Sequence, residues 1–353
     1  MNNLDFTQLL VKQASWSKVG PFSDTVFSTR IRLTRNIYGI PFPSKQKTRD
    51  LILLKEISDK FISKSCFGTL KLIDINSIDH EDKRFLRERN IITQNMETMD
   101  NCSAILSDKE DFVIMINDED HFKIQVIKPG FQLSEAYSLA DSVDNELNKF
   151  GAYAFAEEMG YITSDPSNGS IFVSTMLHLP VLSFTRRMTE TQNIVKLSRL
   201  NIDGLKQEGI KTYGSIFILT NGFSIKISES EILDELEKIT NKIINLESEA
   251  RESYLAEHGI KLEDRICRSY GLLKFARRIG YVESMELLSD IRLGIILSVV
   301  RNIELQKIND LMVNMQWSHM QKIANKIFND TTEGDIFRAS YLRDQFEWSN
   351  IYG

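Results

Sequence analysis

The stretch that most constrains this chain runs from Ala104 to Ile127. It holds three short apolar segments, Ala104–Ser107, Phe112–Ile116 and Phe122–Ile127, the last alternating with period two. β-Branched and aromatic residues at that spacing predict three strands. Between the second and third strands lie Asn117, Asp118, Glu119, Asp120 and His121, an acidic and amide-rich hairpin tip. Taken alone, such a tip reads as a solvated turn. What it can do depends on the side chains that the rest of the chain brings to it.

A second segment, Val26–Asn36, alternates arginine with apolar residues: Arg30 and Arg32 are interleaved with Ile31 and Leu33. In an extended backbone both guanidinium groups point to one face. Two planar forks on one face suit phosphate oxygens, because each donates two parallel charged hydrogen bonds; a merely polar strand face has the same pattern. Pro41 and Pro43 end the segment.

Apolar spacing predicts helices over 45–63, 82–90, 133–150, 185–200 and nearly everything from 229 on, plus a small helix near Leu9. Ser228 and Glu231 form a capping box at the start of the long helical part. A strand is expected at Ile171–Leu179, a loop with a short strand at 66–76, and loops at 161–170 and 201–209. Thr220-Asn221-Gly222 predicts a hairpin joining 215–219 to 223–227. These elements suggest a mainly helical portion at 1–90, a strand-rich portion at 91–255 and a helical portion at 256–353.

Composition narrows the function. A formal net charge of -6 over 353 residues argues against a general nucleic-acid surface. No apolar run reaches the ~18 residues of a membrane span, so no membrane partner is expected. The first residues lack the basic-then-apolar pattern of a secretory signal, and the three cysteines, Cys66, Cys102 and Cys267, have neither zinc spacing nor a disulfide framework. The expected location is cytoplasmic.

Several segments, in order, resemble the bacterial protein-arginine kinases, relatives of the phosphagen kinases in the ATP:guanidino phosphotransferase superfamily. They are Ser28-Thr29-Arg30-Ile31-Arg32, Asn117–His121, Met176-Leu177-His178-Leu179-Pro180, Gly204-Leu205 with Glu208-Gly209, Arg268-Ser269-Tyr270-Gly271, Glu286–Gly294, and Asp335 through Arg338-Ala339. The resemblance implies an α+β fold: a small helical N-terminal domain, an antiparallel sheet flanked by helices, and a helical C-terminal domain. It implies ATP and Mg²⁺ as cofactors and protein arginine side chains as substrate, with no metal held by the protein itself. It also implies a role in protein quality control, with a zinc-binding activator protein and an AAA+ unfoldase-protease as partners, and a homodimer.

A guanidinium is always protonated and a poor nucleophile. Two carboxylates flanking its fork orient it and relieve it of a proton. By resemblance these are Glu119, from the family's NEEDH motif, and Glu208, from its GE pair, where Gln207 replaces the glycine. Ser28, Thr29, Arg30, Ile31 and Arg32 fall on the nucleotide side. The family's five phosphate-binding arginines fall on Arg30, Arg32, Lys123, Phe172 and Asp203, so three positive charges and one negative stand where the family has five positives. A nucleotide-binding histidine falls on Asn90, and the active-site cysteine on Asp165, on the substrate side. A C-terminal phosphoarginine pocket would use Asp335 and Arg338, its first arginine being Gly334 here.

Three readings stay open. One is an active protein-arginine kinase. The second is a pseudokinase that binds partners as a regulator or adaptor, because losing donors aimed at developing charge removes most of the acceleration in phosphoryl transfer. The third, a free-arginine kinase, fits poorly with the helical tail after residue 255.

Overall fold

The computed structural model describes residues 9, 12–165, 169–205, 212–222 and 227–346. Alternation along Val26–Arg35 produces strand β1, with Ile31 and Leu33 buried on one side and Arg30, Arg32 and Thr34 half-buried on the other. The next strands are β2 (Leu70–Asp74), β3 (Ser103–Ser107), β4 (Phe112–Ile116) and β5 (Phe122–Pro129). A small hairpin, β6 (Phe155–Ala156) and β7 (Gly160–Tyr161), stands apart. β8 (Ile171–His178), β9 (Leu200–Gly204) and β10 (Ile216–Asn221) complete an eight-stranded sheet in the order β2-β3-β4-β5-β1-β8-β10-β9. All its pairings are antiparallel. The expected α+β architecture is present, and β1 lies at its centre, with Arg32 paired to Gln125 of β5 and Phe172 of β8.

The two faces of the sheet differ. The face of Ile31 and Leu33 packs under helices Leu133–Asn148 and Glu229–Phe275 in one large core. The opposite face is divided. Over β2–β4, Ile75, Phe85, Leu86, Ile91 and Met96 join Ala104, Leu106, Val113 and Met115 in a second core. Each of these side chains larger than Ala104 contributes roughly 1.5–3 kcal/mol when fully buried. Over β1, β8 and β10 the same face stays open as a cleft of about 1150 Å³, whose far wall is built by Tyr281, Met285, Met312 and Trp317 of the C-terminal helices.

Two polar devices hold the walls of that cleft. At its rim, helix His80–Glu88 ends against the start of helix Trp317–Ala324. The Glu88 carboxylate accepts from the backbone N–H groups of Ser318 (3.0 Å) and His319 (3.2 Å). These are donors that a helix leaves without internal partners, and they favour a negative charge. Burial opposes the charge, yet His319 and the Ser318 N–H hold the Glu88 carboxyl below its usual range. The second device surrounds Asp24. Arg251 of the long helix donates to the Asp24 side chain (3.1 Å) and backbone carbonyl (2.9 Å). Arg292 of helix Tyr281–Ile296 donates to the carbonyls of Ser23 and Asp24 and to Nδ1 of His178 (2.7 Å). His178 therefore carries its proton on Nε2 and donates to Ser289 Oγ (2.8 Å).

The capping box is present: Ser228 Oγ accepts from the Glu231 N–H, and Glu231 accepts from the Ser228 N–H. Two readings need correction. Residues 200–204 form strand β9 rather than a loop, because pairing with β10 satisfies a backbone whose Asn201 and Asp203 side chains face solvent at the sheet edge. Asn221-Gly222 ends a strand that has no free edge for the expected hairpin with 223–227, since β10 lies between β8 and β9. It closes against Arg199 and Leu200, so the hairpin partner of β10 precedes it; residues 223–226 lie outside the described residues. Residues 206–211, likewise, are not among those described. No described helix is long and apolar enough to cross a membrane.

Burial lowers the pKa of His319, so the unfolded chain takes up its proton first. The stability that neutral His319 confers is complete above the ordinary histidine value of ~6.5 and is lost as pH falls below it. In His319→Asn the decline in unfolding free energy between pH 7 and 5.5 should be shallower than in the native protein by up to about 1.4 kcal/mol per pH unit. Parallel denaturation curves at the two pH values test this, and identical slopes would refute it.

Candidate functional site

Asn117 opens the β4–β5 hairpin in the left-handed region (φ 60), which asparagine adopts more readily than most residues, and its N–H donates to the His121 carbonyl (2.9 Å). His121 is fully buried. Its Nδ1 accepts from the Ile37 N–H (2.9 Å), so Nε2 carries the proton and donates to the Pro41 carbonyl (2.8 Å). Burial lowers its pKa, and the neutral ring pins the tip to the segment after β1.

The carboxylates at the tip have separate tasks. Asp120 accepts from Asn36 Nδ2 (2.7 Å), the Ser164 N–H (2.7 Å) and Ser164 Oγ (3.0 Å), which ties the segment before Asp165 to the tip. Asp118 is wholly buried and accepts from Thr93 Oγ1 (3.0 Å) and Lys123 Nζ (2.8 Å). Glu119 alone is half-exposed, with Oε1 accepting from Asn95 Nδ2 (2.6 Å) and Oε2 from Lys123 Nζ (2.9 Å).

Lys123, expected on the nucleotide side, therefore has its ammonium between Asp118 and Glu119. Arg32 donates through Nε and Nη2 to Gln125 Oε1 (3.2 and 2.7 Å). Arg30 donates through Nη2 to Asn90 Oδ1 (2.6 Å), and burial, together with the nearby Arg32, pushes its guanidinium down to about 9. Phe172 lies opposite Arg32, its ring centroid 5.5 Å from the guanidinium carbon, while Val173 points into the core. By register Asp203 shares the face of Ile218, Met176 and Ser28, and it is exposed. Thr29 and Ile31 point away from this face, and Thr29 Oγ1 donates to the Gly130 carbonyl (2.7 Å).

Arg32, Glu119, Lys123, Asp165 and Phe172 line one pocket of about 420 Å³; Arg30 and Asn90 line the larger cleft beside it on the same face. Glu208 lies outside the described residues. Its segment leaves the sheet at Gly204, where any Cβ would collide with Thr212. Asp335 and Arg338 also border the cleft, but Arg338 is buried and committed: it donates to Asp335 (2.8 Å) and to the carbonyls of Ile279 (3.1 Å) and Met315 (3.2 Å). Among the described residues no three His, Cys, Asp or Glu side chains gather as a metal site. Thr93 and Asn95, and the burial of Asp118 against Thr93 and Lys123, were not foreseen in the sequence, for no local pattern announces a contact between residues 25 positions apart.

Two family profiles match the chain. One, described as "ATP:guanido phosphotransferase, C-terminal catalytic domain", covers residues 53–250. The other, "Protein-arginine kinase McsB C-terminal domain", covers 259–351. The protein-arginine kinase of Bacillus subtilis is 35% identical over 338 residues, 94% of this chain and 93% of its own length. That of Bacillus cereus is 36% identical over 331 residues, 92% and 93% of the two chains. Among solved structures, a duplicated taurocyamine kinase from Schistosoma mansoni superposes with a TM-score of 0.58 at 21% identity, over 68% of this chain and 35% of that one. A lombricine kinase superposes at 0.56 and 18% identity, over 71% of each chain. At such identities these two structures speak for the fold alone.

Removing one partner of a buried ion pair strands the other charge, at a cost of about 3–5 kcal/mol. Lys123→Ala should destabilise the protein by about 3 kcal/mol in chemical denaturation, because Asp118 loses its ammonium partner. A loss below about 1 kcal/mol would mean that Lys123 does not neutralise Asp118.

Proposed function

The chain belongs to the ATP:guanido phosphotransferase family, as a member with the protein-arginine kinase C-terminal domain, and from that premise we propose that it phosphorylates arginine side chains of proteins with Glu119 as orienting base. The observation that carries this reading is the shared pocket: the exposed Glu119 carboxylate and Arg32 open onto one space, beside the cleft that holds Arg30.

In this reading the target guanidinium enters past Asp165 and lies against Glu119, and the family resemblance assigns the second carboxylate to Glu208. The carboxylates fix the fork in line with the γ-phosphorus and remove one proton. The N–P bond forms, the bond from the γ-phosphorus to the bridging oxygen breaks, and ADP leaves with that electron pair. Arg30 and Arg32 face the phosphates, where positioning and fixed charge supply most of the acceleration. Mg²⁺, travelling on the nucleotide, neutralises oxygen charge when bound. The cleft is lined by Met176, Ile216 and Ile218, suited to an apolar base, and by Arg30 at its polar end.

Lys123 serves differently from the family's arginine. It holds Glu119 and Asp118, so it positions the base rather than gripping phosphate. The chain is further read as units 1–90, 91–255 and 256–353, the first two sharing one sheet. A cytoplasmic location, a zinc-binding activator, an AAA+ unfoldase-protease and a homodimer follow from the family resemblance. A second reading, a partner-binding pseudokinase, draws on Phe172 beside Arg32 and on the exposed Asp203.

Calorimetry with Mg·ATP and a phosphoarginine assay on an unfolded protein substrate separate the two. Native protein should bind Mg·ATP and phosphorylate; Arg30→Ala should lose binding, and Glu119→Gln should bind ATP yet transfer about 10²–10⁴-fold more slowly. ATP binding without phosphoarginine would leave the pseudokinase, and absence of binding would sink the kinase reading.

A further inference from the structure

The phosphate side of the site is short of positive charge on the sheet. Phe172 and Asp203 stand where arginines would serve, and Lys123 is engaged by Asp118 and Glu119. Yet the cleft beside Arg30 has a second basic wall. Helix His80–Glu88 presents Arg84 and Arg87 to it, three residues and therefore about one turn apart.

We propose that Arg84 and Arg87 are phosphate-binding residues that complete the nucleotide clamp with Arg30, on the opposite side of the cleft from the sheet. The inference rests on the nucleotide reading of this cleft. Each arginine is ion-paired through Nε, Arg84 with Glu88 and Arg87 with Glu97, and each side chain stays about a third exposed. A guanidinium carries five N–H donors, so a contact at Nε leaves those of the two Nη atoms, none of which donates a hydrogen bond among the described residues. Glu88 Oε1 lies 3.4 Å from Arg84 Nε, and the same carboxylate accepts from the N–H groups of Ser318 and His319. Glu97 is in ion-pair contact with Arg87 without hydrogen-bond geometry.

Register between the two walls is fixed. Asn90, just beyond the helix end, sits in the left-handed region (φ 63) and accepts from Arg30 Nη2 at 2.6 Å. One residue thus braces the strand arginine against the helix that carries the other two. The remaining lining suits the rest of a nucleotide. Trp16, Met176, Tyr213 and Tyr281 give an apolar interior, and the arginines mark its anionic end. The ligand class is a nucleoside polyphosphate, and the guanidinium fork is the group that grips its oxygens bidentately.

The experiment compares Mg·ATP, ADP, AMP and adenosine by calorimetry on native protein, Arg84→Gln and Arg87→Gln, with Arg187→Gln as a remote charge control. Each cleft variant should weaken ATP roughly tenfold, ADP less, and adenosine not at all, since a charged hydrogen bond is lost only where phosphates reach it. The control should match native protein. ATP affinity within twofold of native in both variants would overturn the inference, and so would an equal loss for adenosine and ATP. Native protein that binds neither ATP nor tripolyphosphate would overturn the nucleotide reading itself. Should a glutamine variant fail to fold, arginine-specific dicarbonyl labelling of native protein decides the matter: ATP, but not adenosine, should shield Arg84 and Arg87, and unshielded labelling would refute the assignment.

Discussion

The rest of this structure depends on a buried knot of cations around the residues that lead into β1. Arg251 and Arg292 come from different helices, and both donate to the backbone carbonyl of Asp24. Arg292 also reaches the Ser23 carbonyl, His178 at the end of β8 and Asn309 in the next helix. Arg251 in turn holds Glu247, whose carboxylate caps the N–H groups of Val181 and Leu182. A buried guanidinium without acceptors is costly, so each of these carbonyls is a constraint on where its strand or helix can lie. Burial, reinforced by Arg251, pushes the Arg292 guanidinium down to about 9, a measure of how much desolvation its acceptors must offset. The knot therefore fixes β1, β8 and the C-terminal helices in one frame, and the cleft is the space that this frame leaves.

That frame bears on the break in the long helix at His258, where φ is -136 and ψ 28. The break falls between the stretches matched by the two family profiles, 53–250 and 259–351, which invites reading it as a hinge. The contacts argue otherwise. Arg251 before the break and Arg292 after it bind the same carbonyl, and Glu88 caps a C-terminal helix from the N-terminal side of the cleft. A rotation about His258 would have to break all of them together. The kink is a fixed bend within the one large core, to which Leu236 and Ile243 before it and Leu262 and Ile266 after it all belong.

Much of this was legible in the sequence, for a local reason. Period-two alternation put Arg30 and Arg32 on one face before any partner strand was known, and the acidic tip followed from its flanking apolar runs. The Ser228–Glu231 capping box was equally local. What was not legible is what sequence-distant residues do. β9 is polar because it is an edge strand, and Asn201 and Asp203 look like loop residues until β10 is beside them. The brace of Asn90 on Arg30 and that of Asn95 on Glu119 cross from a turn to the sheet. Such contacts leave no periodic trace.

The chemistry of the tip then follows from charge balance. Of its carboxylates, Asp120 is saturated by neutral donors and Asp118 is buried with Lys123, so only Glu119 can meet an incoming cation. An arginine at position 123 would offer a planar fork to phosphate. Lysine, a compact charge on a flexible stem, bridges two carboxylates instead. By holding Glu119 it keeps the base aimed, but it withdraws one positive charge from the phosphates. A site that moves charge in this way needs cations elsewhere on the cleft, and the helix that ends in Glu88 brings two arginines to its wall.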